Sequence, residues 1–284
     1  MDEVLYDAFI RTALEEDLGS GDHSTLACID PALSGKARLL IKEDGVIAGI
    51  GLAERIFRFL EPSILLEAIL HDGDRVHAGE SAFIISAHIQ TILKAERLVL
   101  NCMQRMSGIA TLTRTYTEKL QGFHTRLLDT RKTTPNFRGA EKEAVRIAGG
   151  LNHRMGLYDM IMLKDNHIDW GGGIERVLDK TRRYLDSRGL SLKIEVEARN
   201  LEEVNRIVAT GKADRILLDN FSVGEVALAL KCIPPEMESE ASGNINLDNI
   251  QQYASTGVDY ISAGAIIHHA VSLDLSLKAE PDPR

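Results

Sequence analysis

Two textures of apolar and polar positions divide this chain. Residues 2–18 set Leu5, Phe9, Ala13 and Leu14 at helical spacing and stop at Gly19, which predicts a helix. Its last turn holds Glu15, Glu16 and Asp17, unfavourable for the helix dipole unless those carboxylates face solvent or have another use. Short β-like runs follow at 37–41, 45–48, 64–69 and 82–86, interrupted by a helix over 52–60 that stops before Pro62. A longer helix is expected over 91–106, with Ile92, Ala95, Val99, Cys102 and Met106 on one stripe and Arg97 off it.

Beyond Gly122 the pattern becomes regular. Apolar runs at 125–130, 158–164, 192–197, 213–219, 237–241 and 258–262 read as strands. Between them lie amphipathic helices marked by Ile174, Val177, Leu178 and Leu185, by Leu201, Val204, Ile207 and Val208, by Val223, Val226 and Leu230, and by Leu247, Ile250 and Ala254. Gly189, Gly211 and Gly257 close three of them. The last strands recur roughly every 22 to 24 residues, the βα beat of a parallel sheet or barrel. The expected organisation is an α/β protein: a mixed α/β domain with its bridging helix over 1–107, then a parallel α/β barrel over 108–284.

Polar residues stand where the apolar runs stop. Arg131 and Lys132 follow the first run, Lys164 ends the second, Glu197 the third and Asp219 the fourth, while Ser242-Gly243 and Ala263-Gly264 follow the fifth and sixth. In a parallel barrel these C-terminal strand ends meet in one mouth, where active sites lie.

Composition narrows the chemistry. A net charge of -9 without any long Lys/Arg run argues against nucleic acid. Within that acidic chain Arg131, Lys132, His153, Arg154 and Lys164 crowd one stretch, which predicts a positive pocket for a polyanionic small molecule. Cys28, Cys102 and Cys232 are odd in number and widely spaced, arguing against a disulfide framework or zinc site. The acidic start runs straight into an amphipathic helix, and no apolar run approaches the ~20 residues that cross a bilayer, so a cytoplasmic location is expected.

Several residues carry two readings. Ser242-Gly243-Asn244 and Ala263-Gly264-Ala265 are each compatible with an ordinary turn, but two small-residue loops in register after the last strands favour a phosphate site. Glu195 and Glu197 share one face of their strand. They hold ribose hydroxyls or a magnesium ion, or else form a structural salt bridge to Lys164 or Arg154. Lys164, after an apolar strand, suits either a Schiff base or pairing with substrate anions. His153 and His167 fit no zinc spacing, and His268-His269 are assigned no role.

The blocks Asp129-Thr130-Arg131-Lys132-Thr133-Thr134-Pro135, Asn152-His153-Arg154-Met155-Gly156-Leu157, Lys164-Asp165-Asn166-His167, Leu218-Asp219-Asn220 and Glu240-Ala241-Ser242-Gly243 are far more specific than any glycine loop. By them the chain resembles the quinolinate phosphoribosyltransferases, the decarboxylating nicotinate-nucleotide pyrophosphorylases of de novo NAD synthesis. That resemblance covers essentially the whole chain. It implies an N-terminal α/β sandwich, an incomplete α/β barrel of the type II phosphoribosyltransferase kind, and a homodimer or homohexamer. It also implies transfer of phosphoribosyl from phosphoribosyl pyrophosphate to quinolinate with loss of CO2.

Carried over by position, the resemblance gives Arg131, His153, Arg154 and Lys164, with Arg97 of a neighbouring subunit, to the quinolinate carboxylates. Thr130 belongs to the same substrate-binding block. Lys132 and His167 meet the pyrophosphate arm, Glu197 and Asp219 the ribose and a magnesium ion, and the loops at 242–244 and 263–265 the 5-phosphate. The catalytic set is Lys132, Lys164, Glu197 and Asp219. Three departures stand out: Asn136-Phe137 replaces a common Gly-Leu, Ala148 a common glycine, and Asn244 a frequent glycine in one phosphate loop. The rivals are the related protein associated with molybdenum transport, in which the Asn-His-Arg and Lys-Asp-Asn-His blocks are altered, a Schiff-base aldolase, and a non-catalytic barrel, which would have a broken cation set.

Overall fold

The computed structural model describes residues 3–280. Two compact units divide them: one takes the residues up to 114, 133–149 and those from 267 onward, the other 115–132 and 150–266. Residues 133–149 and those from 267 onward thus group with the first unit although they follow it in sequence.

The first unit begins with α1 (Glu3–Leu18) and α2 (His23–Cys28), then β1 (Ser34–Ile41), β2 (Gly45–Val46), α3 (Ile50–Leu60), β3 (Leu65–Ala68), β4 (Arg75–Val76), β5 (Ser81–His88) and α4 (Ile89–Lys119). Gly19 ends α1 with φ +47°, and Glu15, Glu16 and Asp17 face solvent, so the acidic last turn is simply hydrated. Alternation buries Ala37, Leu39 and Ile41 of β1, while Leu52, Ala53, Ile56 and Phe57 bury one face of α3. Phe57 meets Phe83 edge-on at 6.4 Å between centroids.

The 31-residue α4 runs well past its expected end near Met106. Gly108 does not break it. A Cβ there would lie 2.0 Å from the Val271 carbonyl oxygen, so this glycine serves close packing against the returning tail rather than termination.

In chain order the second unit supplies β6 (Arg126–Leu128), after which α5 (Arg138–Ile147) packs in the first unit. Then come β7 (Ile161–Leu163), α6 (Asp165–Gly171), α7 (Ile174–Arg188), β8 (Ile194–Ala198), α8 (Leu201–Thr210), β9 (Arg215–Asp219), α9 (Val223–Ala229), β10 (Glu238–Ser242), α10 (Ile250–Ala254) and β11 (Tyr260–Ser262). All six expected strands form, in the order β6-β11-β10-β9-β8-β7, and every pairing is parallel. A single parallel bridge from Leu128 to Leu151 extends the β6 edge. β8 is buried along its whole length, as a parallel strand covered on both faces must be. Gly189 and Gly211 close α7 and α8 in the left-handed conformation. Asn200 and Ser222 cap α8 and α9 by accepting backbone N–H groups.

The chain closes with α11 (Ala265–His268) and β12 (Leu275–Glu280). β12 pairs antiparallel with β1, completing a four-stranded sheet of order β12-β1-β5-β3 in the first unit. Among the described residues no helix is long and apolar enough to cross a membrane. Cys28, Cys102 and Cys232 are free thiols.

Candidate active site

Parallel register sorts the polar residues of the second unit into levels. Asp219, Ser242 and Ser262 are paired across β9, β10 and β11, so they share one level at the C-terminal rim and point to the same face. Two residues earlier Leu217 pairs with Glu197 on one side and Glu240 on the other, and below them Arg215 pairs with Glu195 and Glu238. Strand alternation thus places a charged layer beneath a polar rim.

The deep layer is an ionic group, which Arg215 also joins to half-buried Glu238 at 2.9 Å. Glu195 and Glu240 have no solvent exposure, and His153 and Arg215 are buried. Nε2 of His153 lies 2.9 Å from Glu195 and 3.4 Å from Glu240, and the Arg215 guanidinium lies 3.2 Å from Glu240 and stacks 4.2 Å above the Tyr260 ring. Burial opposes charge on His153, but the facing carboxylates outweigh it and raise its pKa to about 9. Burial and the neighbouring Glu240 charge push Glu195 up to about 7. Burial acts upward on Glu240 too, yet His153 and Arg215 hold it below the usual carboxylate range. His153, Glu195 and Glu240 have metal-ligand identities with atoms within 4.8 Å of one another. Arg215 already neutralises Glu240, however, and would repel a dication.

This ring is therefore set differently from a plain substrate ligand. Nδ1 of His153 lies 2.6 Å from the Arg154 backbone nitrogen while Nε2 faces the two carboxylates, so both nitrogens face protein groups. Asp129, fully buried after β6, fixes the segment by accepting from Asn152 Nδ2 at 2.7 Å and His153 N at 2.8 Å.

Above that layer lie the cations. Arg154 donates to the Met160 carbonyl at 3.3 Å, and burial together with the charge of Arg131 holds its guanidinium below its ordinary value. Those two guanidinium groups therefore sense one another, as they would in sharing one anionic ligand. Arg131 and Lys132 are exposed in the turn after β6, where Thr130 Oγ1 accepts the Lys132 N–H at 3.0 Å. Lys164 Nζ pairs with Glu197 Oε2 at 3.2 Å, with the lysine side chain 49% exposed and the glutamate 9%. His167 reaches back from the first turn of α6, and its Nδ1 accepts the Lys164 N–H at 3.0 Å, which puts the ring proton on Nε2.

Ser262 donates to Ser242 at 3.1 Å, tying together the starts of the two small-residue loops. Ala263-Gly264 leads directly into α11 at Ala265. The 242–244 loop does not enter a helix at once, since α10 begins only at Ile250. Gly243 takes φ +95° and Asn244 φ +55°, so Asn244 adopts the left-handed backbone that a glycine would accept freely.

Glu197 and Asp219 offer hard oxygen donors suited to magnesium, which is commonly held by one or two carboxylates together with substrate phosphates. Arg97 lies exposed on α4 in the first unit. The second unit itself brings together Thr130, Arg131, Lys132, His153, Arg154, Lys164, His167, Glu197, Asp219 and both loops. Sequence reasoning assigned no role to Asp129, Arg215 and Glu240. Glu240 alternates with Ser242 as Glu195 does with Glu197, and that signal could have revealed it.

Residues 22–107 match the family model described as "Quinolinate phosphoribosyl transferase, N-terminal domain", and residues 109–278 match its C-terminal counterpart. The chain is 42% identical over 288 residues to "Quinolinate phosphoribosyltransferase [decarboxylating] 1b" of Nicotiana tabacum, covering 96% of this chain and 82% of that one. It is 41% identical to the "Probable nicotinate-nucleotide pyrophosphorylase [carboxylating]" of Synechocystis sp., covering 97% and 92%. The crystal structure of NadC from Streptococcus pyogenes superposes with a TM-score of 0.91 at 36% identity, covering 99% of each chain. With both domain models matched, the chain belongs to the quinolinate phosphoribosyltransferase family.

Proposed function

We propose that this protein transfers the phosphoribosyl group of phosphoribosyl pyrophosphate to quinolinate, giving nicotinate mononucleotide, pyrophosphate and CO2 for NAD synthesis. The observation that carries the reading is the convergence of Arg131, Arg154 and Lys164 with Glu197 and Asp219 at one rim of the parallel sheet. A ring with two adjacent carboxylates needs several fixed cations, and planar guanidinium forks match carboxylates better than ammonium points do.

In this reading Arg131 and Arg154 orient quinolinate so that its ring nitrogen faces the anomeric carbon of the ribose. Lys164 pairs with a substrate carboxylate and through Glu197 links the two substrates. As the carbon–oxygen bond to pyrophosphate breaks, positive charge grows on the ribose, and the Glu197 and Asp219 carboxylates stabilise it. Glu197 and Asp219 would hold a magnesium ion, directly or through water, and such an ion would supply charge screening for the departing pyrophosphate. Lys132 and Nε2–H of His167 meet the pyrophosphate, and the loops at 242–244 and 263–265 take the 5-phosphate. The ring nitrogen ends cationic. Its charge stabilises the electron pair left on the adjacent ring carbon when that carbon's carboxylate departs as CO2, and a proton then takes up that pair, so no protein nucleophile is needed.

The working form is a homodimer or homohexamer in which Arg97 of one subunit completes the site of its neighbour, and free thiols at all three cysteines suit a reducing cytoplasm. Incubating purified protein with magnesium, phosphoribosyl pyrophosphate and either quinolinate or nicotinate tests the assignment. Turnover of quinolinate alone, with CO2 release abolished by chelation and restored by magnesium, is expected. Turnover without CO2, or of nicotinate alone, would overturn it.

A further inference from the structure

Asn220 follows Asp219 directly and takes φ +58°, a left-handed backbone that turns its side chain toward the neighbouring strand end. Its amide is used at both ends. Nδ2 donates to Asp219 Oδ2 at 2.9 Å, and Oδ1 accepts from Asn244 Nδ2 at 3.1 Å. Its backbone N–H donates to the Ser242 carbonyl at 2.8 Å. Gly243 makes the arrangement possible, because a Cβ there would lie 2.2 Å from Asn220 Oδ1. Asn244 is steadied in turn: Asn249 Nδ2 donates to its carbonyl at 3.1 Å, and Asn249 Oδ1 accepts the Asn246 N–H at 2.8 Å.

One amide therefore spans two parts of the rim that the proposed reaction uses differently. Asp219 serves the ribose and metal, whereas the 242–244 loop serves the 5-phosphate. A glycine at position 244 would have no side chain with which to grip Asn220.

We infer that Asn220 and Asn244 are positioning residues forming a clamp that couples the 5-phosphate loop to the Asp219 carboxylate, so that docking the phosphate also orients the carboxylate. The inference rests on the phosphoribosyl reading above and deepens it. Asn220 sets the rotamer of Asp219 by donating to one carboxylate oxygen, a charge-assisted bond. Asn244 carries the loop's position to Asn220 through a neutral bond, which is the weaker link.

Three substitutions separate the two halves. Asn244→Gly and Asn220→Gly remove the side chains while keeping a residue that accepts the left-handed backbone. Asn220→Asp keeps the acceptor for Asn244 but replaces the donor to Asp219 with a like charge. Calorimetric titration with ribose 5-phosphate, which carries the ribose and the 5-phosphate but no pyrophosphate, and with phosphoribosyl pyrophosphate plus magnesium reads the effect without turnover. Asn244→Gly should weaken both ligands about three- to tenfold, and Asn220→Gly should weaken phosphoribosyl pyrophosphate further. Asn220→Asp should weaken phosphoribosyl pyrophosphate with magnesium several-fold more than it weakens ribose 5-phosphate. In steady state the KM for phosphoribosyl pyrophosphate should rise in all three while that for quinolinate stays put.

Ribose 5-phosphate binding equally well to the unaltered protein, Asn244→Gly and Asn220→Gly would overturn the clamp alone. Failure of the unaltered protein to bind either ligand would overturn the phosphoribosyl reading and the clamp together.

Discussion

Nε2 of His153 lies 2.9 Å from Oε2 of Glu195, inside the barrel and away from solvent. Glu240 stands 3.4 Å from the same nitrogen and Arg215 3.2 Å from Glu240, so two buried carboxylates are balanced by one guanidinium and one imidazole. Such a group is costly to desolvate and holds together only as a set.

Arg215→Met should therefore destabilise the protein severely. It leaves Glu240 and Glu195 short of a cation, and breaking a buried ionic set from one side costs about 3–5 kcal/mol. Urea unfolding monitored by circular dichroism measures the change, and a loss below about 1 kcal/mol would show that the group is not energetically coupled.

Stability should fall as the solution becomes alkaline. His153 is raised from 6.5 to about 9, so the folded state holds a proton that the unfolded chain releases. Its contribution is complete below 6.5 and lost as pH rises through about 9. Glu195 acts in the same sense between 4.5 and about 7. Unfolding free energies at pH 6, 7.5 and 9 should decline in the unaltered protein and decline less in His153→Gln. A flat or rising profile contradicts the assignment.

Lys164 is half exposed and engaged by Glu197 at 3.2 Å, unlike the dry pocket in which a lysine becomes a nucleophile. Borohydride treatment in the presence of carbonyl compounds should leave no adduct detectable by intact-mass spectrometry. Lys164→Ala should still lower kcat/KM for quinolinate on the order of a hundredfold, the scale of removing one charged donor from an active site. A covalent adduct at Lys164 would revive the aldolase alternative.

Arg97 supplies a test of site sharing. Arg97→Ala and Lys164→Ala variants should each be nearly inactive alone. After mixing and reassembly, half of the dimers are mixed and each holds one intact site, so about a quarter of normal activity should return. No recovery, with subunit exchange confirmed by native mass spectrometry, would mean that each site is built from one chain.

Much of this architecture was legible along the chain. The six parallel strands announced themselves by apolar runs at a regular spacing, although β8 and β10 carry buried Glu195, Glu197 and Glu240 within theirs, and Gly189 and Gly211 marked helix ends because glycine enters the left-handed region freely. The helix expected to end near Met106 instead runs on to Lys119, with Gly108 in its middle packed closely against Val271. Neither α5 nor β12 was foreseen. β12 is held by pairing with β1 more than two hundred residues away; the alternation of Leu273, Leu275 and Leu277 with polar residues marks a strand but not its partner.

For the site, sequence alone determined which chemical groups were present and that they stood at strand ends, since side-chain alternation and the βα beat are local properties of the chain. The tertiary structure decided how those groups divide their work. Glu195 and Glu197 alternate identically along β8, yet one is sealed beneath His153 and the other meets Lys164 at the rim. Depth along the barrel axis separates them, because desolvation and the charges contributed by β9 and β10 govern each carboxylate, and those neighbours are adjacent only once the sheet has formed.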